Sequence, residues 1–126
     1  MFQSNREPFT SEAKKVFNLC IENKVEGFIA AHSIPDAYYI LRKSFLDEER
    51  RAALLLVCRV VKIVGIDGEK VVSALNKAHF KDFEDCLQDE CAAAIDADYI
   101  VTRNANDFGK SKVRAVSPLG FLKTIS

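Results

Sequence analysis

Acidic side chains recur along one segment of this chain, between His79 and Phe108. The spacing of Asp82, Asp85 and Asp89 places the three on one face of a predicted amphipathic helix. Asp36, one turn into the helix after the first predicted strand, can meet Asp85 if the carboxyl ends of the strands lie at one edge of the sheet. Carboxylates brought that close repel each other, and proteins commonly resolve the repulsion with a hard divalent cation such as Mg²⁺ or Mn²⁺. The two acids therefore predict a metal site. The apolar face of the helix that carries Asp85 consists of Phe83, Leu87, Cys91 and Ala94.

Two of these acids have simple structural alternatives, and one does not. Asp36 lies in the first turn of another predicted helix, where Ser33 can act as N-cap, so capping and the macrodipole explain it well when it is taken alone. Asp82 suits a helix N-terminus equally well. Asp85 lies within a helix, where it gains nothing from capping and is repelled by Asp89 one turn later, so a functional role is favoured.

A polar segment comes directly after the predicted strand Tyr99–Thr102, with Arg103, Asn104 and Asp107. In open α/β sheets, ligands bind at the carboxyl ends of the strands. Asn104 and Asp107 can equally well build a turn, since both residue types bond to their own backbone.

Basic residues alternate in the next segment, at Lys110, Lys112 and Arg114. An extended chain would place all three on one side. They could then form a phosphate-binding ridge or protect an edge strand, and the edge strand is slightly favoured.

Helical and strand patterns alternate along the whole chain, which predicts a three-layer α/β/α sandwich with a mainly parallel sheet. Predicted strands are Phe28–Ala31, Lys62–Ile66, Tyr99–Thr102 and Ala115–Val116. Helices are predicted after a Thr10 or Ser11 cap, from about Ile34 to Lys43, after an Asp47 cap with Ala53, Leu54, Val57 and Cys58 inward, from Asp67, in the acidic segment, and from Leu119 to Ile125 after a Ser117 cap.

Composition limits what the acidic segment can mean. The 126 residues predict one domain, residues 1–126, and the 18 basic and 18 acidic residues cancel. This balance excludes binding to nucleic acid or membrane by bulk charge, so any RNA contact is local.

Four cysteines without paired spacing predict free thiols in a reducing cytoplasm. No apolar run is long enough to span a bilayer, and no signal peptide is recognisable.

Five segments carry motifs that can be compared with known families, namely Ser33–Leu41, Asp85–Leu87, Ala97–Asn104, Asp107–Phe108 and Ser117–Leu122. Together, and in this order, they resemble the PIN domain family, including its VapC-type toxins. The resemblance implies an α/β/α fold with an acidic Mg²⁺ or Mn²⁺ site. It also implies metal-dependent ribonuclease activity, in which a metal-bound water attacks RNA, and an antitoxin as partner.

The resemblance also implies roles for single residues. Asp36 and Asp85 match metal-binding acids of the family, and Asn104 stands where a further acid or its Asn substitute lies. Asp107 would assist nearby and Thr102 would orient the site. Further expected contributors are Arg103, Lys110 and Lys112 for RNA phosphates, with Ser33, Asp82 and Asp89 in support.

One family feature is missing from this sequence, namely the opening central strand that ends in Asp-Thr-Asn. The segment Met1–Phe9 resembles the part of the family that comes directly after that strand. We expect neighbouring strands to close the gap or a second chain to contribute, and homodimerisation is one such route. Asp89 and Glu90 stand where the family usually has small or apolar residues. They could act as substitute metal ligands or could simply be solvated.

The alternative to a ribonuclease is a non-catalytic PIN-like module that binds RNA or a partner protein. A flavodoxin-like nucleotide-binding domain is disfavoured because no Gly-rich phosphate loop comes after any strand.

Overall fold

Helices and short strands alternate along the chain, as the sequence predicts. The computed structural model describes residues 11–77, 82–102, 105–109, 111 and 113–125. Short 3₁₀ turns lie at Leu41–Lys43 and Ala105–Phe108. The other elements of this part of the chain are α1 (Ser11–Ile21), β1 (Phe28–Ala30), α2 (Ser33–Ile40), α3 (Asp47–Val60), β2 (Lys62–Val64), α4 (Gly68–Leu75), α5 (Phe83–Ala94), β3 (Tyr99–Val101), β4 (Arg114–Val116) and α6 (Pro118–Ile125).

The four strands form two parallel pairs, β1 with β2 and β3 with β4. In register, Ala30 lies opposite Val64 and Val101 lies opposite Val116. Parallel pairing is expected because helices connect the strands. Within the described residues, no strand pairing joins one pair to the other. The expected closure of a gap by neighbouring strands is thus not seen in this part of the chain.

Helices cover both faces of the strand pairs, and alternate strand residues show this directly. Ile100 packs in a cluster with Cys91 of α5, whereas its neighbour Val101 packs with Val16 of α1. In β1, Ala30 likewise belongs to the α5 cluster and Ile29 to a cluster with α1. Since successive strand residues point to opposite faces, α1 and α5 lie on opposite sides. The mainly parallel α/β/α prediction is confirmed.

Local capping explains where several helices begin. The Asp67 carboxylate accepts the Lys70 N–H at 3.0 Å at the start of α4, and the Ser117 hydroxyl accepts the Gly120 N–H at 2.9 Å at the start of α6. Both caps agree with the sequence pattern. Asp47 is the first residue of α3 and not its cap, because the N-cap is Leu46, so the predicted Asp47 cap is wrong. Ala53 is exposed, so its predicted inward orientation is wrong as well.

Candidate functional site

All of the buried polar side chains in the described residues belong to one region. Three are close together along α5, namely Asp85, Gln88 and Asp89, and the others come after β1 and β3, namely Ser33 and Thr102. α5 contacts both β1 and β3, so it brings these side chains to the ends of both strands. The Asp85 side chain is buried, with 6% of the residue exposed. Asp85 lies in the first turn of α5, so the prediction that it lies within the helix and gains nothing from its amino end is wrong, because the macrodipole favours a carboxylate there. Burial of a carboxylate is nevertheless costly, which distinguishes Asp85 from a surface charge.

The predicted apolar face of α5 is partly wrong. Leu87 and Cys91 are buried, as expected, but Phe83 and Ala94 are exposed. The reason is that α5 is covered on more than one side between residues 85 and 89. Helical periodicity alone cannot indicate a helix that packs on several sides.

Ser33 does not cap α2, contrary to the prediction. His32 is the N-cap residue and makes no side-chain cap bond, while the Ser33 hydroxyl accepts a hydrogen bond from Gln88 Nε2 at 3.0 Å. Without the Ser33 hydroxyl, the buried Gln88 amide N–H would lack this acceptor, which would cost about 1–3 kcal/mol. Gln88 Oε1 is buried and has no hydrogen-bond partner in the described chain. Sequence reasoning missed Gln88, although its position one turn after Asp85 was a usable signal.

His32 lies between the starts of α2 and α5. Burial lowers the pKa of its imidazole, opposed by the Asp36 charge and by a hydrogen bond to the Glu84 main chain. Asp36 and the first turn of α5 are therefore close to the same imidazole. Sequence reasoning placed no site residue at His32, although it comes two residues after the end of β1.

Asp82 is the N-cap of α5, because its carboxylate accepts the Glu84 N–H at 3.0 Å. The capping interpretation of Asp82 is confirmed. Asp107 lies half-buried in the 3₁₀ turn after β3.

Asp89 belongs to a closed polar network, not to an open ligand set. Its carboxylate pairs with the Lys77 ammonium and accepts a hydrogen bond from the Ser111 hydroxyl. Lys77 also pairs with Glu90. Burial acts to lower the pKa of Lys77, but its bonds to Asp89 and Glu90 outweigh burial, so the pKa is raised. For Glu90, burial acts to raise the pKa, but the bonds of its carboxylate outweigh burial, so the pKa is lowered. A solvated Asp89 is thus excluded, because its carboxylate is buried and already paired with Lys77.

The described residues contain no group of three His, Cys, Asp or Glu side chains that could hold a metal ion. The donor chemistry near α5 nevertheless suits a hard cation, because Asp85 and the unpartnered Gln88 Oε1 both offer oxygen. Along the sequence, Asp36 comes three residues after Ser33 and Asp85 comes three residues before Gln88, the two residues that this hydrogen bond joins. Four predicted site residues lie outside the described ranges, namely Arg103, Asn104, Lys110 and Lys112.

The fold and the buried acid together define an α/β protein with a polar site at the carboxyl ends of parallel strands. A family model described as PIN domain matches residues 3–106. The chain therefore belongs to the PIN domain family, a nuclease-like family whose members generally use divalent metals. A search of curated proteins found no match, and a search of solved structures found none. None of the helices in the described ranges has the length and hydropathy that a membrane span requires.

Proposed function

We propose that this chain is a metal-dependent endoribonuclease that hydrolyses RNA phosphodiesters. The observation that carries the proposal is the burial of Asp85 within α5, at the ends of β1 and β3, in a chain of the PIN domain family. Asp85 lies in the first turn of α5, where the helix macrodipole favours a carboxylate, but a surface acid would gain as much there without the free-energy cost of burial. A role in binding a cation would account for that cost.

The proposed ligands of the cation are Asp36 and Asp85, with Asn104 and Asp107 beside them. A bound Mg²⁺ or Mn²⁺ would supply positive charge to the phosphate oxygens and lower the pKa of a coordinated water. The hydrogen bond between Ser33 and Gln88 joins the start of α2 to the middle of α5, and so links the two helices that carry the two acids. Further proposed contributors are Thr102, which would orient the site, and Arg103, Lys110 and Lys112, which would contact RNA phosphates.

A second candidate is a PIN-like module that binds RNA or a partner protein without cleaving it. Two observations favour it: no group of three possible metal ligands exists in the described residues, and Asp89 and Glu90 are already paired with Lys77. Because Asp89 and Glu90 are paired with Lys77, they are not free to join Asp36 and Asp85 as ligands of a cation.

Calorimetric titration with Mn²⁺ in Mg²⁺-free buffer separates the two candidates. We expect near-equimolar binding to the parent and loss of binding in Asp85→Asn, because that change removes one anionic ligand. Asp98→Asn, the same change at an exposed aspartate, serves as the matched control and should bind like the parent. If the parent binds no Mn²⁺, the enzyme proposal fails and the binding module is favoured.

We further propose that the chain is the toxin of a toxin–antitoxin pair and acts in the cytoplasm. Induced expression in bacterial cells should then arrest growth, and Asp85→Asn should relieve the arrest while the protein accumulates to the same level. Arrest by both proteins would separate toxicity from the acidic site.

A further inference from the structure

α2 carries an exposed aromatic ring one turn after Asp36. Both Asp36 and Tyr39 belong to this helix, and 61% of Tyr39 is exposed. Side chains three residues apart are neighbours on a helix surface, with Cβ atoms about 5–6 Å apart. Tyr39 therefore lies next to Asp36, one of the two proposed ligands of the cation.

Arg42, in the 3₁₀ turn after α2, lies over the Tyr39 ring. Its Cζ is 3.5 Å from the ring centroid, and its Nη1 donates a hydrogen bond to the Tyr39 main-chain oxygen at 2.8 Å. This hydrogen bond holds the guanidinium against the ring. Arg42 is exposed and forms no ion pair within the described residues. Its positive charge is therefore available to an anion from outside the chain.

The preceding tyrosine makes a similar contact that has a structural purpose. Arg50 of α3 lies over the Tyr38 ring at 4.2 Å and donates to the Tyr38 main-chain oxygen at 3.2 Å, so it joins α3 to α2. Both Tyr38 and Arg50 are half-buried. By contrast, the contact of Tyr39 with Arg42 joins α2 only to the turn that continues it. An exposed pair of this kind adds little to stability, so packing does not account for it.

We propose that Tyr39 and Arg42 form a stacking subsite for one base of an RNA strand. This proposal rests on the proposed function, because it takes RNA to be the ligand of the neighbouring acidic site. The base would stack on the tyrosine ring or on the guanidinium plane, and an adjacent phosphate would meet the Arg42 charge. Because the pair lies one turn from Asp36, it would fix the position of a nucleotide relative to that acid.

A nucleotide fits this pair better than an apolar segment of a partner protein does. An apolar segment would cover the ring, but it would also take the Arg42 guanidinium out of water without a counter-charge, which is unfavourable. A nucleotide covers the ring with its base and brings a phosphate for the guanidinium. The formal net charge of zero also requires any RNA contact to be local, as this one is.

The dependence of binding on the bases tests the subsite. Fluorescence anisotropy in EDTA, where no metal-dependent cleavage occurs, would compare a labelled oligoadenylate of about ten nucleotides with an abasic oligomer of equal length and charge. Tyr39→Leu should weaken binding of the oligoadenylate roughly tenfold, because leucine has no π face, and should leave binding of the abasic oligomer unchanged. Tyr39→Phe keeps the ring and should bind both probes like the parent.

Arg42 should contribute both a plane and a charge, and two substitutions separate them. Arg42→Lys keeps the charge but loses the plane, so affinity for the oligoadenylate should fall severalfold while its dependence on salt stays the same. Arg42→Gln also removes the charge, and the slope of log affinity against log salt should decrease in magnitude by about 0.7, the value for one phosphate contact on a single strand. Arg59→Lys, at an exposed arginine of α3, is the matched control and should bind like the parent.

A parent that binds neither probe, or binds both with equal affinity, overturns the proposal. So does a Tyr39→Leu variant with the oligoadenylate affinity of the parent, because the exposed pair would then be open to a partner protein instead. Unchanged helical circular dichroism in each variant shows that a loss of binding is not a loss of fold.

Mn²⁺ titration separates this proposal from the proposed function. Tyr39 is not a proposed ligand of the cation, so Tyr39→Leu should bind Mn²⁺ like the parent while it loses affinity for the oligoadenylate. A parent that binds the oligoadenylate through Tyr39 but binds no Mn²⁺ would support the subsite and contradict the enzyme.

Discussion

Gln88 connects two helices at the candidate site through a single buried amide. Its Nε2 donates to the Ser33 hydroxyl, and both residues are almost wholly inaccessible to solvent. A buried polar pair contributes modestly to stability when intact, but leaving one member unpaired carries the full desolvation cost. The two residues should therefore respond to substitution as a unit.

Gln88→Leu should destabilise the protein by about 1–3 kcal/mol, because it keeps most of the side-chain volume but leaves the Ser33 hydroxyl buried and unpaired. Ser33→Ala should act in the same direction on the amide. The double variant should lose less than the sum of the two, since neither partner then remains unsatisfied. Urea unfolding of the four proteins measures the coupling, and strictly additive losses would show that the two side chains act independently.

At the scale of elements, the network around Asp89 joins three parts of the chain. Lys77 comes just after α4, Asp89 and Glu90 belong to α5, and Ser111 lies between the 3₁₀ turn and β4. The Ser111 hydroxyl also accepts the Val113 N–H at 3.1 Å, which extends the network toward β4. Buried charges tolerate the loss of a partner poorly, so this network should be sensitive to single substitutions.

Lys77→Met should destabilise the protein by about 3–5 kcal/mol, because it leaves the Asp89 carboxylate buried without its cation. Lys62→Met is the matched control: Lys62 pairs with Glu26 at 2.7 Å, but both side chains are largely exposed. That surface pair should contribute at most about 1 kcal/mol. Equal losses of unfolding free energy in the two variants would argue against a buried, charge-dependent network.

At the scale of the whole molecule, net charge does not dominate the response to pH near neutrality, because acidic and basic residues are equal in number. Individual groups with shifted pKa values should dominate instead. His32 is one such group, since burial lowers its pKa below the ordinary value of 6.5. The folded protein therefore binds this proton less readily than the unfolded chain does.

Unfolding free energy should fall as pH drops below 6.5, because the unfolded state then takes up a proton that folded His32 resists. His32→Gln should flatten this dependence. Glu90 adds a further loss at lower pH: its folded pKa lies below 4.5, so its stabilisation is lost as pH falls through that lowered value. Identical pH profiles for parent and His32→Gln would contradict the assignment.

Much of the fold could be predicted from the sequence because its causes are local. Asp67, Asp82 and Ser117 cap the helices that begin after them through bonds two or three residues away. The β3 strand is short and apolar, as buried parallel strands are. Strand ends were less well predicted: β2 stops at Val64, two residues before the expected end.

The candidate site was predicted only in part, because its contacts cross the fold. Ser33 was expected to cap α2 and instead accepts a bond from Gln88, 55 residues away. Asp89 was expected to bind metal or face solvent and instead meets Lys77. Neither partner is visible in a short sequence window.

The sequence by itself determined the order of the helices and strands, the parallel α/β/α layers, the caps at Asp67, Asp82 and Ser117, and the membership of the PIN domain family, since these depend on local propensity and on motif order. Only the tertiary structure decided which polar side chains are buried together. Burial removes water as a partner, so each donor and acceptor must find another within the fold. For Asp85, Gln88 and Asp89, that choice depends on elements far away in the chain.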